Sequence, residues 1–231
     1  MMSITSCYPL PACLLVAVVL LLGGAPAVTS AASAQSLAEQ CWSPGQLLGQ
    51  PEEKQPRRSG PGRVSHSPSG ALSPVVPVAA SLQGSIRRVQ LPKGLKLVAL
   101  TFDMCEQQGE VAGYDGGVVD YLRANNVKAT FFSSGKWMAS HVERTEQLAA
   151  DQRFEIGSHG WAHRNVRGLE GSNLITEIEG PSRAYAAVRA RLAARQCVAQ
   201  APALMSRVAG RFSLYRFPYG ACNPAALSAL A

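Results

Sequence analysis

Three short polar clusters in this sequence carry residue types able to do chemistry. Asp103 follows Thr101-Phe102. His159 and His163 stand four apart in Ser158-His159-Gly160-Trp161-Ala162-His163, and Arg216 and Tyr219 lie in Arg216-Phe217-Pro218-Tyr219-Gly220. Two imidazoles four apart point the same way when a loop enters a helical turn, and together they can hold one zinc-like ion. Such an ion acidifies water, and a nearby carboxylate can take the proton as that water attacks a carbonyl. Each cluster alone also has a plain structural reading: two surface or core histidines, an Asp that caps a turn, an Arg in a salt bridge. Their shared placement favours the chemical reading.

That placement comes from the elements around them. Residues 95–102, a mostly apolar run after Pro92 and Gly94, read as a buried strand that ends on Asp103. Val118, Val119, Tyr121 and Leu122 give helical spacing over 116–126, and residues 128–132 read as a second strand. A helix over 137–152 and a third strand over 154–157 follow, the latter running into His159. Leu174, Ile178, Pro181, Tyr185, Val188 and Leu192 mark a long helix that Gly180-Pro181 is expected to break or kink. Residues 214–217 read as a fourth strand, and Asn223-Pro224 opens a last helix as N-cap and first-turn proline. Strands alternating with helices imply an α/β fold with a parallel sheet, open or closed into a barrel. Parallel strands bring their C-terminal ends to one face, so residues more than a hundred positions apart in sequence converge there.

The first 34 residues contain no Asp, Glu, Lys or Arg. They hold the apolar run of residues 14–22, then small residues ending in Ala32-Ser33-Ala34. This is the pattern of a secretory signal peptide over 1–34, and the run is too short for a spanning helix, which needs about 20 residues. The expectation is a protein that is secreted, periplasmic or in the cell envelope, with no stable membrane span after cleavage; an uncleaved anchor is the other reading. Recurrent Pro, Ser and Gly without apolar periodicity mark residues 35–90 as a disordered linker. Cys41, Cys105, Cys197 and Cys222 remain after the signal peptide, an even number that suits disulfides in an exported chain. The formal charge is +7, which suits anionic envelope polymers. The basic residues form no aromatic-interleaved stripe, so no nucleic-acid partner is expected. Oligomeric state is not legible.

Thr-Phe-Asp, then His-x-x-x-His, then Arg-x-Pro-x-Gly, in that order, resembles the NodB-type polysaccharide deacetylases, carbohydrate esterase family four. The resemblance covers roughly residues 95–231. It implies a distorted (β/α) barrel, a divalent metal that is usually zinc, and removal of N-acetyl groups from chitin-like or peptidoglycan sugars. Carried onto this sequence, it makes Asp103 the general base, His159 and His163 the metal-binding histidines, and Arg216 the arginine that orients the base. Tyr219 lies where a backbone N–H helps hold the oxyanion.

Departures from the family pattern carry their own expectations. The family's second aspartate, a metal ligand, is replaced by Met104, whose thioether is no substitute for a hard oxygen on zinc. Glu106 and Asp115 are the nearest carboxylates, with Glu106 favoured by proximity. Gly160 stands where the family carries Ser or Thr. Cys105 and Cys222 each adjoin a site motif, which suggests a disulfide between two loops. The family's later motifs, including its general-acid histidine, have no counterpart here. The expectation is therefore a partial deacetylase domain over 91–231 that is poorly folded or inactive by itself. The alternatives are a glycan-binding relative without catalysis, or a hydrolase of another non-peptide C–N amide bond.

Overall fold

The structure is a computed structural model that describes residues 36–58, 78–79 and 83–231. The expected signal peptide, and residues 35, 59–77 and 80–82 of the expected linker, lie outside the described residues. No helix among the described residues is long and apolar enough to cross a membrane.

Residues 36–58 correct the expectation of a disordered linker. Helix α1 (Leu37–Cys41) is capped reciprocally: the Glu39 amide donates to Ser36 Oγ and the Ser36 amide to the Glu39 carboxylate. Helix α2 (Pro44–Leu47) and a 3₁₀ turn (Pro51–Lys54) follow, then the two-residue strand β1 (Arg57–Arg58). Pro44 and Pro51 occupy the first turns of these elements, where proline starts helical structure instead of breaking it. Leu37, Ala38, Trp42 and Leu47 are buried, and Cys41 is disulfide-bonded to Cys197. A crosslink spanning 156 positions removes about 5 kcal/mol of loop-closure entropy from the unfolded chain in the chain-entropy picture. The pairing expected between Cys105 and Cys222 is absent, since both thiols are free.

The central sheet holds three parallel strands: β2 (Thr101–Met104), β4 (Ala129–Ser133) and β5 (Phe154–Ser158), in the spatial order β2-β4-β5. Between them in sequence come β3 (Glu110–Val111), which pairs antiparallel with β1, helix α3 (Gly116–Ala124), and helices α4 (Gly135–Ser140) and α5 (Val142–Ala150). The single helix expected over 137–152 is therefore two, parted at His141. After β5 come α6 (Gly171–Ala193), α7 (Gln196–Gln200), α8 (Pro202–Met205) and α9 (Pro224–Leu230). Asn223 caps α9 by accepting from the Ala226 amide, with Pro224 in the first turn as expected. The α/β class with a parallel sheet is the one read from the sequence.

Two strand expectations change. The first begins at Thr101, not at residue 95: Leu95, Leu97, Val98 and Leu100 are exposed, with no layer of the described residues covering them. The fourth shrinks to one parallel bridge between Ser158 and Tyr215, where the Ser158 amide donates to Leu214 and the Arg216 amide to Ser158. Pro218 follows at once and has no N–H to extend the ladder. The core lies between this sheet and its helices. Phe131 stacks on Phe102 at 5.3 Å and meets Phe154 edge-on at 5.2 Å, among buried Trp137, Leu148, Ile156 and Tyr185.

Candidate active site

Parallel register sets the first part of the site. Asp103 lies beside Phe132 in β4, and Ser133 beside Ser158 in β5, so Asp103 and His159 leave neighbouring strand ends together. The Tyr215 bridge then delivers Arg216 to the same C-terminal end of the sheet. One Arg216 guanidinium nitrogen donates to Asp103 Oδ1 at 2.6 Å and another to Thr101 Oγ1 at 3.1 Å. The guanidinium carbon sits 3.9 Å from the centre of the Phe132 ring. That stacking and forked bonding fix the Asp103 carboxylate, whose Oδ2 lies 3.7 Å from His159 Nε2.

His159 is buried, and its Nδ1 lies 2.8 Å from the Arg216 carbonyl oxygen. A carbonyl only accepts, so Nδ1 carries the proton and Nε2 keeps its lone pair. Burial also lowers the His159 pKa below the ordinary histidine value and holds the ring neutral. A neutral imidazole whose far nitrogen is anchored to a carbonyl is the usual arrangement of a metal-binding histidine. The His163 ring lies 4.9 Å from that of His159, edge to face, and 4.6 Å from Tyr219. Its pKa is lowered by burial and then by His159, and its Nδ1 is buried without a hydrogen-bond partner. His163 and Tyr219 both have left-handed backbones, with φ of 55° and 58°. Such strain persists where the surroundings over-determine it, which is common at functional sites.

What holds the loop between the histidines is a residue the sequence reading passed over. Pro181 lies inside α6 without ending it, and its missing N–H frees the carbonyl of Glu177 four residues earlier. That carbonyl accepts the Trp161 amide at 2.9 Å. The buried Glu177 carboxylate accepts the Ala162 amide at 3.1 Å and the Arg164 amide at 2.9 Å. Burial is the largest influence on this carboxyl and raises its pKa. Gly160, at φ 76°, packs so closely on Glu177 that a Cβ would strike the carboxylate. Glycine in place of the family's Ser or Thr thus fits this chain's own packing. The signal for Glu177 was the proline itself: an intrahelical proline leaves a carbonyl in need of a donor.

Glu106 and Asp115, the two carboxylates considered in place of the missing aspartate, are both elsewhere. The Glu106 carboxylate is buried against α4, accepting from Ser140 Oγ at 2.6 Å and the Ala112 amide at 3.1 Å, with His141 Nδ1 at 3.9 Å. These bonds hold the Glu106 carboxylate against α4, so proximity in sequence does not become proximity to the histidines. Asp115 pairs with Lys54 at 2.8 Å at the start of α3. Among the described residues, the side chains whose ligand atoms converge with those of His159 and His163 are completed by Cys105, all within 4.8 Å of one another. Burial, then Asp103 and Glu110, push the Cys105 thiol up to about 11.

Beside this cluster an open groove of about 560 Å³ runs past His163 and Tyr219, lined also by Gln107, Gln108, Arg164 and Asn165. A second cavity of about 610 Å³ lies between residues 43–57 and α5, around Gln46, Glu53 and His141. None of the clustered Asp, Cys and His residues lines it, whereas His163 lines the first. That pairing of a polar groove with Asp, Arg and two neutral histidines suits hydrolysis of a polar carbonyl compound.

Comparison with known proteins gives this geometry a context. Over 84 residues the chain is 33% identical to the peptidoglycan-N-acetylglucosamine deacetylase PgdA of Listeria monocytogenes, covering 36% of this chain and 17% of that protein. It is 31% identical over 117 residues to a chitin deacetylase of Colletotrichum lindemuthianum, covering 43% of this chain and 45% of the other. A solved family 4 carbohydrate esterase from Bacillus anthracis aligns with a TM-score of 0.41 and 20% identity, over 57% of this chain and 52% of that one. The chain spans less than half the length of either curated relative. The profile described as polysaccharide deacetylase matches residues 90–231, more than half of the sequence and all of the clusters just described, and the chain belongs to that family.

Proposed function

We propose that this chain serves a metal-dependent hydrolase that removes N-acetyl groups from an exported or cell-envelope polysaccharide. The observation that carries the reading is the convergence, at the C-terminal ends of the strands, of an Arg-oriented Asp103 and two neutral histidines from another loop. Membership of the polysaccharide deacetylase family supports the substrate class. A disulfide and the leader pattern of residues 1–34 support export.

His159 and His163 would hold the divalent cation, which fits the anchored Nδ1 of one ring and the orphaned buried nitrogen of the other. When bound, a zinc-like ion supplies acidified water and polarises a carbonyl oxygen. Asp103, held by Arg216 and Thr101, is placed to take a proton from attacking water. Hydroxyl adds to the acetamide carbon; as the tetrahedral species collapses, the leaving nitrogen takes up a proton, the one held by Asp103 or one from solvent, and the C–N bond breaks to give acetate and an amine. Phe132 and Arg216 keep the Asp103 carboxylate from rotating away during proton transfer. The Tyr219 backbone N–H is the proposed donor to the oxyanion.

The test is acetate release from an N-acetylated chito-oligosaccharide and from peptidoglycan by the full chain, with zinc present and after chelation. Zinc-dependent acetate release supports the proposal. Binding of either glycan with no acetate released would replace it with a glycan-binding role.

A further inference from the structure

Strand β2 sorts its side chains between two environments. Phe102 and Met104 pack on the hydrophobic core, whereas Thr101 and Asp103 meet Arg216 at the strand edge. Alternation along an extended chain places the next residue, Cys105, with Asp103 and not with Met104. Its sulfur and one ring nitrogen each from His159 and His163 lie within 4.8 Å of one another. Met104 therefore occupies the family's carboxylate position as a core residue, and the neighbouring thiol reaches the histidines instead.

We propose that Cys105 is the third protein ligand of the metal site, giving a Cys-His-His set in place of Asp-His-His. This rests on the metal-dependent reading above and specifies its ligands. Cysteine and histidine bind zinc at about 2.3 Å and 2.0–2.1 Å, so ligand atoms in a tetrahedral site stand about 3.5 Å apart. Small side-chain rotations close the remaining distance as the metal enters. The thiol gives up its proton to solvent as the metal–sulfur bond forms. Three protein ligands leave a fourth position open to water or substrate, as catalytic zinc sites require. Thiolate with imidazole also selects a zinc-like ion over magnesium or manganese, which prefer oxygen. The orphaned Nδ1 of His163 and the carbonyl-anchored Nδ1 of His159 are independent signs that these rings await a ligand.

The test uses the full chain loaded with cobalt(II), whose thiolate complexes absorb in the near ultraviolet by sulfur-to-metal charge transfer. Bound cobalt is counted separately by equilibrium dialysis. The expected result is one cobalt bound with that absorption in the parent and in Cys222→Ser, and loss of the absorption in Cys105→Ser. Cys105→Asp is expected to bind cobalt without the sulfur band, which guards against a variant that merely misfolds. In the parent, cobalt is also expected to protect Cys105 from alkylation, read by peptide mass. Cobalt bound by the parent with no sulfur band and no protection overturns the proposal and leaves the deacetylase reading standing on the histidines. No cobalt bound by the parent overturns both this proposal and the metal dependence on which it rests.

Discussion

Two regions of this molecule use the same charged residue types to opposite ends. In the clasp made by residues 36–58 and α5, Arg144 bonds both oxygens of Glu53, the Gln46 and Leu48 carbonyls and Gln147. Buried Glu146 likewise pairs with Arg191 and Arg195, and Asp151 with Arg123 and Arg153. At the strand-end site the Asp103–Arg216 pair is about one-third exposed, His163 Nδ1 has no hydrogen-bond partner, and two backbones are left-handed. Dense ion pairing holds the clasp closed, although one Arg123 guanidinium nitrogen is buried there without a partner. Unsaturated donors, held still by Glu177, Arg216 and Phe132, are what a site needs in order to receive a ligand.

Perturbations should therefore sort by region, and the largest effect falls on the site. If the proposed role holds, Asp103→Asn lowers acetate release by about 10²–10⁴-fold while thermal unfolding stays unchanged; an unfolding shift without loss of turnover would make Asp103 structural. In the clasp, replacing Cys41 with Ser is expected to cost about 2–5 kcal/mol of stability by chemical denaturation and to leave metal affinity unchanged. Equal loss of metal affinity would mean the two regions are not separable. Glu177→Gln sharpens the boundary between them. It removes one of the carboxylate's accepting oxygens, loosens the loop that carries His163, and lowers zinc affinity by roughly 10–100-fold, with Asp103 chemistry otherwise intact. Calorimetric titration beside the parent checks it.

A smaller effect is expected from pH. The pKa values of His159 and His163 are both lowered by burial. As pH falls below about 6.5, the ordinary histidine value, the unfolded chain takes up protons before the folded chain does. Stability present at neutral pH is thus lost as pH falls through that window, until the folded rings protonate as well. Denaturation of the metal-free chain between pH 7.5 and 5 should show this slope, and replacing both histidines with Gln should reduce it, leaving the share of His141, whose pKa burial also lowers. An unchanged slope would place the rings in water.

The sequence made the repeating part of this fold legible. Strands β4 and β5 and helix α3 lie within one or two residues of their expected spans, apart from the last two residues of the helix. Apolar runs there meet a covering layer, and Asn223-Pro224 starts α9 where the capping rules place it. Residues 36–58 escaped because their order depends on a partner cysteine 156 positions away and on prolines that initiate turns. Residues 95–100 misled because an apolar run signals a buried strand only when something covers it. At the site, Asp103, His159, His163 and Arg216 are brought together across 113 positions by strand-end logic. Glu106 does not reach the histidines because its carboxylate is taken up by Ser140 and the Ala112 amide. Pro181 signals only the Glu177 carbonyl; the carboxylate works through backbone amides, which no residue motif records.

The most direct test of the central claim is a calorimetric titration of zinc into the full chain beside the His159→Ala/His163→Ala double variant. The account predicts one zinc bound per parent chain and none by the double variant. Equal zinc binding by both proteins would show that the histidines do not form the site.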